Sequence, residues 1–506
     1  MSIEILPADN HFNQKLLANV RPADWVNPVP DGKYNLVVIG AGSAGLVAAS
    51  GGSSLGAKVA VIEKSFMGGD CLNYGCVPSK GIIRAAKAAA SVHSAHHFGV
   101  QVPDGVTIDF DAAMGHVRKV RADLAPHDSA KRYHEMGVDV YFGDAQFTGP
   151  NTIEVGGVTL EFSKALISTG SHPAHIPIPG LAETGYLTNE SIFNLTEQPE
   201  SLAVIGAGPI GSELAQSFQR LGTQVILIDM ASHILPREDA DAAEIVQKQL
   251  LDDGVQLLTS VRTRSVALGA NGKKVITYEK DGVEDSVEVS DILLAVGRRP
   301  NVEGLALEQA GVEFTKQGVT VNDLLQTTNS DIYAAGDVAS KYQFTHVAGH
   351  SGAIVVQNAL FPFPKRKFSD MIIPWVTFTE PEVAHVGMYE TEAAEAGIEI
   401  DTYNVQMKTN DRAVAERETA GFIKVHTVKG SGTILGATIV GSHAGEIINE
   451  ITIAMKHKLS LGALASVIHP YPTEAEIINK AAIEYNKTRL TPRIKGIMNW
   501  WMKRTR

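Results

Sequence analysis

Two glycine-rich turns, 166 residues apart, constrain this chain more than any other feature. The first follows the apolar run Asn35 to Ile39 and reads Gly40-Ala-Gly-Ser-Ala-Gly45. Helix-compatible residues follow to Leu55, then a strand from Lys58 to Ile62 that ends at Glu63. The second copy runs from Leu202 to Ile205, turns at Gly206-Ala-Gly-Pro-Ile-Gly211, continues as a helix to Leu221 and ends with a strand at Asp229. Each glycine answers a physical need. Gly40 and Gly206 allow the tight turn, Gly42 and Gly208 let a pyrophosphate reach the backbone, and Gly45 and Gly211 let helix pack on strand. The helix N-terminus then offers free N–H groups and a partial positive charge to the phosphates. Strand, turn, helix, strand and terminal acid form one βαβ unit. Its duplication implies two dinucleotide sites in one chain.

The acid at each strand end reads as a ribose ligand. Glu63 lies 18 residues beyond Gly45, near the spacing such a ligand requires. Asp229 would repel a 2′-phosphate, and no arginine follows it before Arg237, so NADH is favoured over NADPH.

The 506 residues allow three or four domains, and 44% hydrophobic with 20% charged residues is globular composition. A formal charge of −12 argues against a nucleic-acid binder. No apolar run reaches the length of a membrane helix, and Met1 to Val29, with Glu4, Asp9 and Asp24, does not read as a secretory signal. A cytoplasmic enzyme is expected.

The chain has two cysteines, Cys71 and Cys76, just past the first unit in Gly68-Gly-Asp-Cys-Leu-Asn-Tyr-Gly-Cys-Val-Pro-Ser-Lys80. A protein of this size needs no staple, and a pair this close reads as redox chemistry. Gly75 permits a tight turn between them, and a helix start would favour the thiolate. A pair of small buried hydrophobes is the blander alternative.

This segment resembles the redox-active disulfide motif of the class I pyridine nucleotide–disulfide oxidoreductases, which include glutathione reductase, dihydrolipoamide dehydrogenase and mercuric reductase. Other segments agree. Thr327 to Asp337 looks like the family's second FAD motif, with Gly336 before the ribitol-binding Asp337. Ser168-Thr169-Gly170 and Ala295-Val-Gly297-Arg298 look like its two crossover motifs, and His469-Pro-Tyr-Pro-Thr-Glu474 like its C-terminal His–Glu pair.

The resemblance implies an α/β fold of two Rossmann-like domains, for FAD and NAD(P), plus a C-terminal α+β dimerisation domain. Its divisions are an extension at 1–33, the FAD domain at 34–185, the NAD(P) domain at 186–312, a completion of the FAD domain at 313–372, the dimerisation domain at 373–490 and a basic tail at 491–506. It implies electron flow from nicotinamide through FAD to the disulfide, with Cys76 as the charge-transfer thiol and Cys71 as the interchange thiol. Lys80 would pair with Glu213 beside the flavin. His469, oriented by Glu474, would move the thiol proton across a homodimer interface. Lys64 and Gly69 join the cofactor-binding set.

The acceptor is expected to be a small disulfide or dithiol. A metal ion or a quinone is the alternative, and a non-catalytic flavoprotein subunit the more distant one. The chain resembles mercuric-reductase-like members but lacks their C-terminal cysteine pair. Asp70 stands beside Cys71, where its charge should raise that thiol's pKa.

No metal site is assigned: His93, His96 and His97 would share a helix face, but exposed histidines on a polar helix are commoner. His346 and His350 could approach the flavin or be structural. Lys487 to Arg506 holds seven Lys or Arg, no acid, and the pair Trp500 and Trp501. These are features of an interfacial membrane anchor, although Pro492 is expected to interrupt the segment, and a solvated tail or dimer clasp is the alternative.

Overall fold

Strands that are apolar on both faces, alternating with helices that start at glycine, build the larger of two compact units in this computed structural model, which describes residues 10–506. Glu4 and Asp9 of the N-terminal reading lie outside the described residues.

The larger unit comprises 10–231 and 254–371. Five parallel strands lie side by side in the order Val138–Phe142, Val59–Glu63, Tyr34–Ile39, Val158–Ile167 and Ile332–Ala334. Val38 sits opposite both Val61 and Leu166, so the register places the strand ends in line. All five residues of Val59–Glu63 are buried, the pattern of a sheet covered on both faces. A second parallel sheet runs Gln256–Leu258, Gln224–Ile228, Ser201–Ile205, Asp291–Leu294. Three antiparallel strands, Arg262–Leu268, Lys274–Lys280 and Val283–Val289, accompany it.

The glycine turns are as tight as their sequences require. Gly40 has φ of +99°, and a Cβ there would lie 2.4 Å from the Ser168 carbonyl oxygen. A Cβ on Gly45 would lie 1.9 Å from the Gly40 oxygen, so no other residue lets that helix approach its strand. The second copy repeats both relations, with Gly206 at φ +107° and a Gly211 Cβ 1.8 Å from the Gly206 oxygen.

The smaller unit holds residues 232–253 and 372–506. Its antiparallel sheet runs Pro374–Thr377, Glu382–Gly387, Ile434–Gly441, Phe422–Val428, Ile400–Gln406. Ile447, Ile448 and Ile451 of helix Ala444–Lys456, and Ile477, Ile478 and Ala481 of helix Glu476–Thr488, fill the core beside it. The segment Ser232–Asp253, read from sequence as part of the nucleotide domain, groups here. Polar contacts account for it: Lys424 Nζ reaches Asp239 at 2.7 Å and Asp241 at 2.8 Å. Glu238 accepts hydrogen bonds from Trp375 Nε1 at 3.0 Å and the Tyr389 hydroxyl at 2.7 Å.

Two local readings change. The helix begun at Cys76 ends at Ser94, and His96 and His97 belong to a separate 3₁₀ turn, so the three histidines share no continuous α-helical face. Pro492 does not interrupt the tail: it occupies the first turn of helix Pro492–Arg504, where its missing N–H costs nothing, and Thr491 caps the helix. At the other end, Pro22 follows a short helix, His11–Val20, and Trp25 docks by donating from Nε1 to the Val140 carbonyl at 3.1 Å. Among the described residues, no helix is long and apolar enough to cross a membrane.

Candidate active site

The cysteine segment is a one-turn helix, Gly69–Asn73, followed at once by helix Cys76–Ser94. Left-handed backbone at Gly68 and Gly69 turns the chain into the first, and Gly75 precedes the second. Cys71 therefore ends up facing Cys76 at the N-terminus of a 19-residue helix. Both cysteines are free, and their sulfurs hydrogen-bond to each other.

The pair is electrically unequal. The hydrogen bond from Cys71 is the main cause that lowers the Cys76 thiol to about 6, with Thr345 and the Lys80 charge assisting. The same hydrogen bond, followed by burial, pushes the Cys71 thiol up, and Asp70 adds to the rise as expected from its charge. Cys76 Sγ lies 3.3 Å from Thr345 Oγ1. Thr345 begins helix Thr345–Leu360, which crosses helix Ser43–Ser54 so closely that a Cβ on Gly352 would fall 2.3 Å from the Ala44 oxygen.

Lys80, one helical turn beyond Cys76, places Nζ 2.9 Å from Oε2 of the buried Glu213. Cys76, Val77, Lys80, Gly81, His116, Val120 and Leu124 line a groove of about 340 Å³. Asp70 also holds the surrounding structure together, because its Oδ1 accepts from Arg298 Nη2 at 2.9 Å and from Asn189 Nδ2 at 3.1 Å. Arg298 Nε donates to Ser171 Oγ at 2.7 Å, and the Ser171 hydroxyl donates to Asp337 Oδ2 at 2.6 Å. Burial holds the Asp337 carboxyl above its ordinary range. A chain of contacts thus ties the cysteine turn to the second crossover and to Asp337.

The two nucleotide cradles match. Glu63 accepts the Ala41 N–H at 2.8 Å and the Ser65 N–H at 2.7 Å, while Asp229 accepts the Ala207 N–H at 2.6 Å and the Ala231 N–H at 2.7 Å. Each acid fixes its glycine loop as well as ending its strand. Gly42 and Gly208 cap the helices without any side-chain bond. A Cβ on Gly208 would meet nothing within 4 Å, and one on Gly42 only Gly69 Cα at 3.9 Å. Space and uncapped N–H groups suit a pyrophosphate at both places. Thr169 donates to the Asn301 carbonyl at 2.7 Å, and Gly170, Gly297 and Gly336 all have positive φ. Lys64 is exposed, and its carbonyl accepts from Arg21.

In the C-terminal unit one expectation is corrected. Glu474 does not orient His469. Glu474 Oε2 lies 2.8 Å from His443 Nδ1, and His469 Nε2 lies 3.0 Å from Glu450 Oε2. The Asn410 side-chain amide holds the carbonyls of Thr473 and Glu474, and the buried Glu474 carboxylate turns toward the residue preceding helix Ala444–Lys456. The His469 side chain is 6% exposed, and its Nδ1 has no hydrogen-bond partner among the described residues. His346 stacks on Phe344, and His350 Nδ1 lies 3.0 Å from the His346 carbonyl oxygen.

Sequence reasoning missed Thr345, Ser171, Asn189, His443 and Glu450. Thr345 had a usable signal, since it opens the helix after the Asp337 motif. The others touch the site only through contacts distant in sequence.

With this geometry in place, comparison with known proteins identifies the family. The family model described as pyridine nucleotide-disulphide oxidoreductase matches residues 34–352, and the corresponding dimerisation domain matches 373–482. The chain belongs to this family. A mercuric reductase from Staphylococcus aureus is 37% identical over 463 residues, covering 90% of this chain and 83% of the relative. A dihydrolipoyl dehydrogenase from Bacillus subtilis is 34% identical, covering 88% and 95%. Among solved structures, a Cu(II) complex of the HOCl-induced flavoprotein disulfide reductase RclA from Escherichia coli superposes with a TM-score of 0.79 at 28% identity, covering 89% and 99%. LpdA from Mycobacterium tuberculosis has the same TM-score and identity. The protein is accordingly an NAD(P)H-dependent FAD oxidoreductase of the disulfide type, and its C-terminal unit carries the homodimer-forming domain.

Proposed function

We propose that the enzyme passes electrons from NADH to the Cys71–Cys76 pair and on to a small disulfide, or runs in reverse as a dithiol dehydrogenase. The contact between the two sulfurs at a helix N-terminus, beside Thr345 and Lys80, carries this reading. The Gly40–Gly45 turn, Glu63 and Asp337 would hold FAD, which would supply two-electron exchange between nicotinamide and sulfur. Cys76 rests as the thiolate while Cys71 keeps the proton.

Reduction of an acceptor disulfide then balances through the chain's own groups. Cys71 gives its proton to His469, delivered across the dimer interface, and attacks one acceptor sulfur. The first leaving thiolate takes a proton back from His469. Cys76 attacks the mixed disulfide, the second acceptor thiolate leaves, and the Cys71–Cys76 bond closes. Two electrons have moved outward.

The domain divisions at 34–185, 186–312, 313–372 and 373–490 are proposed to follow the nucleotide sites and the dimer interface, with Asp229 selecting NADH by repelling a 2′-phosphate. A cytoplasmic setting that keeps thiols reduced suits the pair. The basic C-terminal helix is proposed as a surface contact.

A metal-ion reductase is the second reading, favoured by the mercuric reductase relative. Against it, Cys71 and Cys76 are the chain's entire supply of thiols, so no further soft pair passes an ion inward. Steady-state NADH oxidation with lipoamide, glutathione disulfide, Hg(II), Cu(II) and a quinone separates these readings. Turnover of a disulfide that Cys71→Ser abolishes supports the proposal. No turnover of any disulfide by the parent enzyme, with quinone turnover that Cys71→Ser leaves intact, overturns it.

A further inference from the structure

The C-terminal helix has no place in the redox reading, and its sequence departs from that of the acidic chain around it. From Pro492 to Arg506 there are five Lys or Arg and no acidic residue, while the whole chain has a formal charge of −12. Helix Pro492–Arg504 has no buried residue. Ile494, Ile497, Met498 and Trp501 follow the i, i+3, i+4, i+7 spacing, so they form one stripe. Trp500 and Met502 flank it. Ile497, Trp500 and Trp501 leave 66%, 57% and 58% of their surfaces in water. Exposed large side chains at this density mark a contact surface rather than scattered apolar residues.

Three features narrow the occupant. The cations sit around both ends of the apolar stripe, Arg493 and Lys495 on either side of its first residue, Ile494, and Lys503, Arg504 and Arg506 after its last, where their stems can lie along an apolar layer with their charges in water. Tryptophan favours the boundary between headgroup and acyl chain, and two are adjacent here. The helix has 13 residues, about 20 Å, too short to span a bilayer but ample to lie in its surface. A body of negative net charge is repelled by an anionic surface, so attachment there requires a local cationic segment.

We infer that helix Pro492–Arg504 docks on the anionic phospholipid face of a bilayer, its Ile494–Ile497–Met498–Trp501 stripe in the interface and its cations among the headgroups. It would hold the NADH-oxidising body at the membrane surface without crossing it. The inference is independent of which acceptor the cysteine pair reduces.

The test is flotation of the full-length, FAD-loaded enzyme with vesicles of phosphatidylcholine, alone or with about 30 mol % phosphatidylglycerol. The expected result is at least about tenfold more enzyme bound to the anionic vesicles, with release at ~0.5 M salt. The double variant Ile497→Ser, Trp501→Ser should lose this binding while keeping its rate of NADH oxidation. Equal behaviour of the variant and the parent on anionic vesicles overturns the inference. So does a vesicle-free self-association that the variant abolishes, because a second copy would then cover the stripe. Binding is read by flotation, so failure of the proposed disulfide chemistry leaves this result interpretable.

Discussion

Thr345 Oγ1 stands 3.3 Å from Cys76 Sγ across 269 residues of sequence, and it joins the redox pair to the helix that follows the second FAD motif. A hydroxyl at that distance stabilises a thiolate, and it lowers the Cys76 pKa together with Cys71 and Lys80.

The Thr345→Val variant removes that hydroxyl while keeping the side-chain volume. A hydrogen bond to a charged group contributes about 1.5–3 kcal/mol, and one pKa unit corresponds to about 1.4 kcal/mol. The midpoint of Cys76 titration should rise by about one pH unit. Iodoacetamide alkylation rate against pH in the reduced enzyme measures it, and an unchanged midpoint would show that the hydroxyl is a bystander.

The pH dependence of the native pair follows from the direction of the shift. A thiol lowered to about 6 is a thiolate above that pH, so alkylation of Cys76 should climb through pH 6 and be level by neutrality. The Cys71→Ser variant weakens the main stabilising hydrogen bond, since a hydroxyl replaces the thiol donor. Its midpoint should move upward. A midpoint near 9, the ordinary thiol value, in the native enzyme would contradict the geometry.

Lys80→Met leaves the Glu213 carboxylate, 7% exposed, without its cation. Breaking a buried pair costs about 3–5 kcal/mol, and the 37% exposure of Lys80 reduces that to about 1–3 kcal/mol here. Urea unfolding of the holoenzyme should show this loss, and the Cys76 titration should move up as a nearby positive charge disappears. Glu213→Gln in the same background should recover part of the stability.

Arg298→Lys should uncouple the cysteine turn from Asp337. A guanidinium bonds Asp70 and Ser171 at once, and a lysine ammonium cannot reproduce that fork. The expected result is weaker FAD retention and a slower reductive half-reaction, read by flavin release on dilution and by stopped-flow absorbance. Unchanged values for both would show that the network has no part in cofactor binding.

The legible and illegible parts of this protein differ in how far apart their causes lie. Gly40, Gly45, Gly206 and Gly211 could be read because each answers a collision with backbone in its own βαβ unit. Glu63 and Asp229 could be read from their places at the strand ends of the same units, although their grip on the Ala41 and Ala207 N–H groups was not foreseen. The cysteine turn was visible as a local pattern. Arg298 was recognised as part of a motif, but its bond to Asp70, 228 residues away, leaves no local trace. The exchange of partners between His469 and Glu474 arises from the packing of three separate segments of the C-terminal unit. That Ser232–Asp253 clusters with the smaller unit, and that His96 and His97 lie in a separate 3₁₀ turn, leaves no local trace, because propensity does not fix where a helix stops or which core it joins.

The most direct measurement is anaerobic titration of the holoenzyme with NADH, followed across the visible spectrum. Addition of two electrons per flavin should produce a long-wavelength thiolate-to-flavin absorbance that fades as pH falls below about 6 and is missing in Cys76→Ser. Direct bleaching of the flavin at the first two electrons, with no such band at any pH, would contradict the placement of Cys76 on which the mechanism rests.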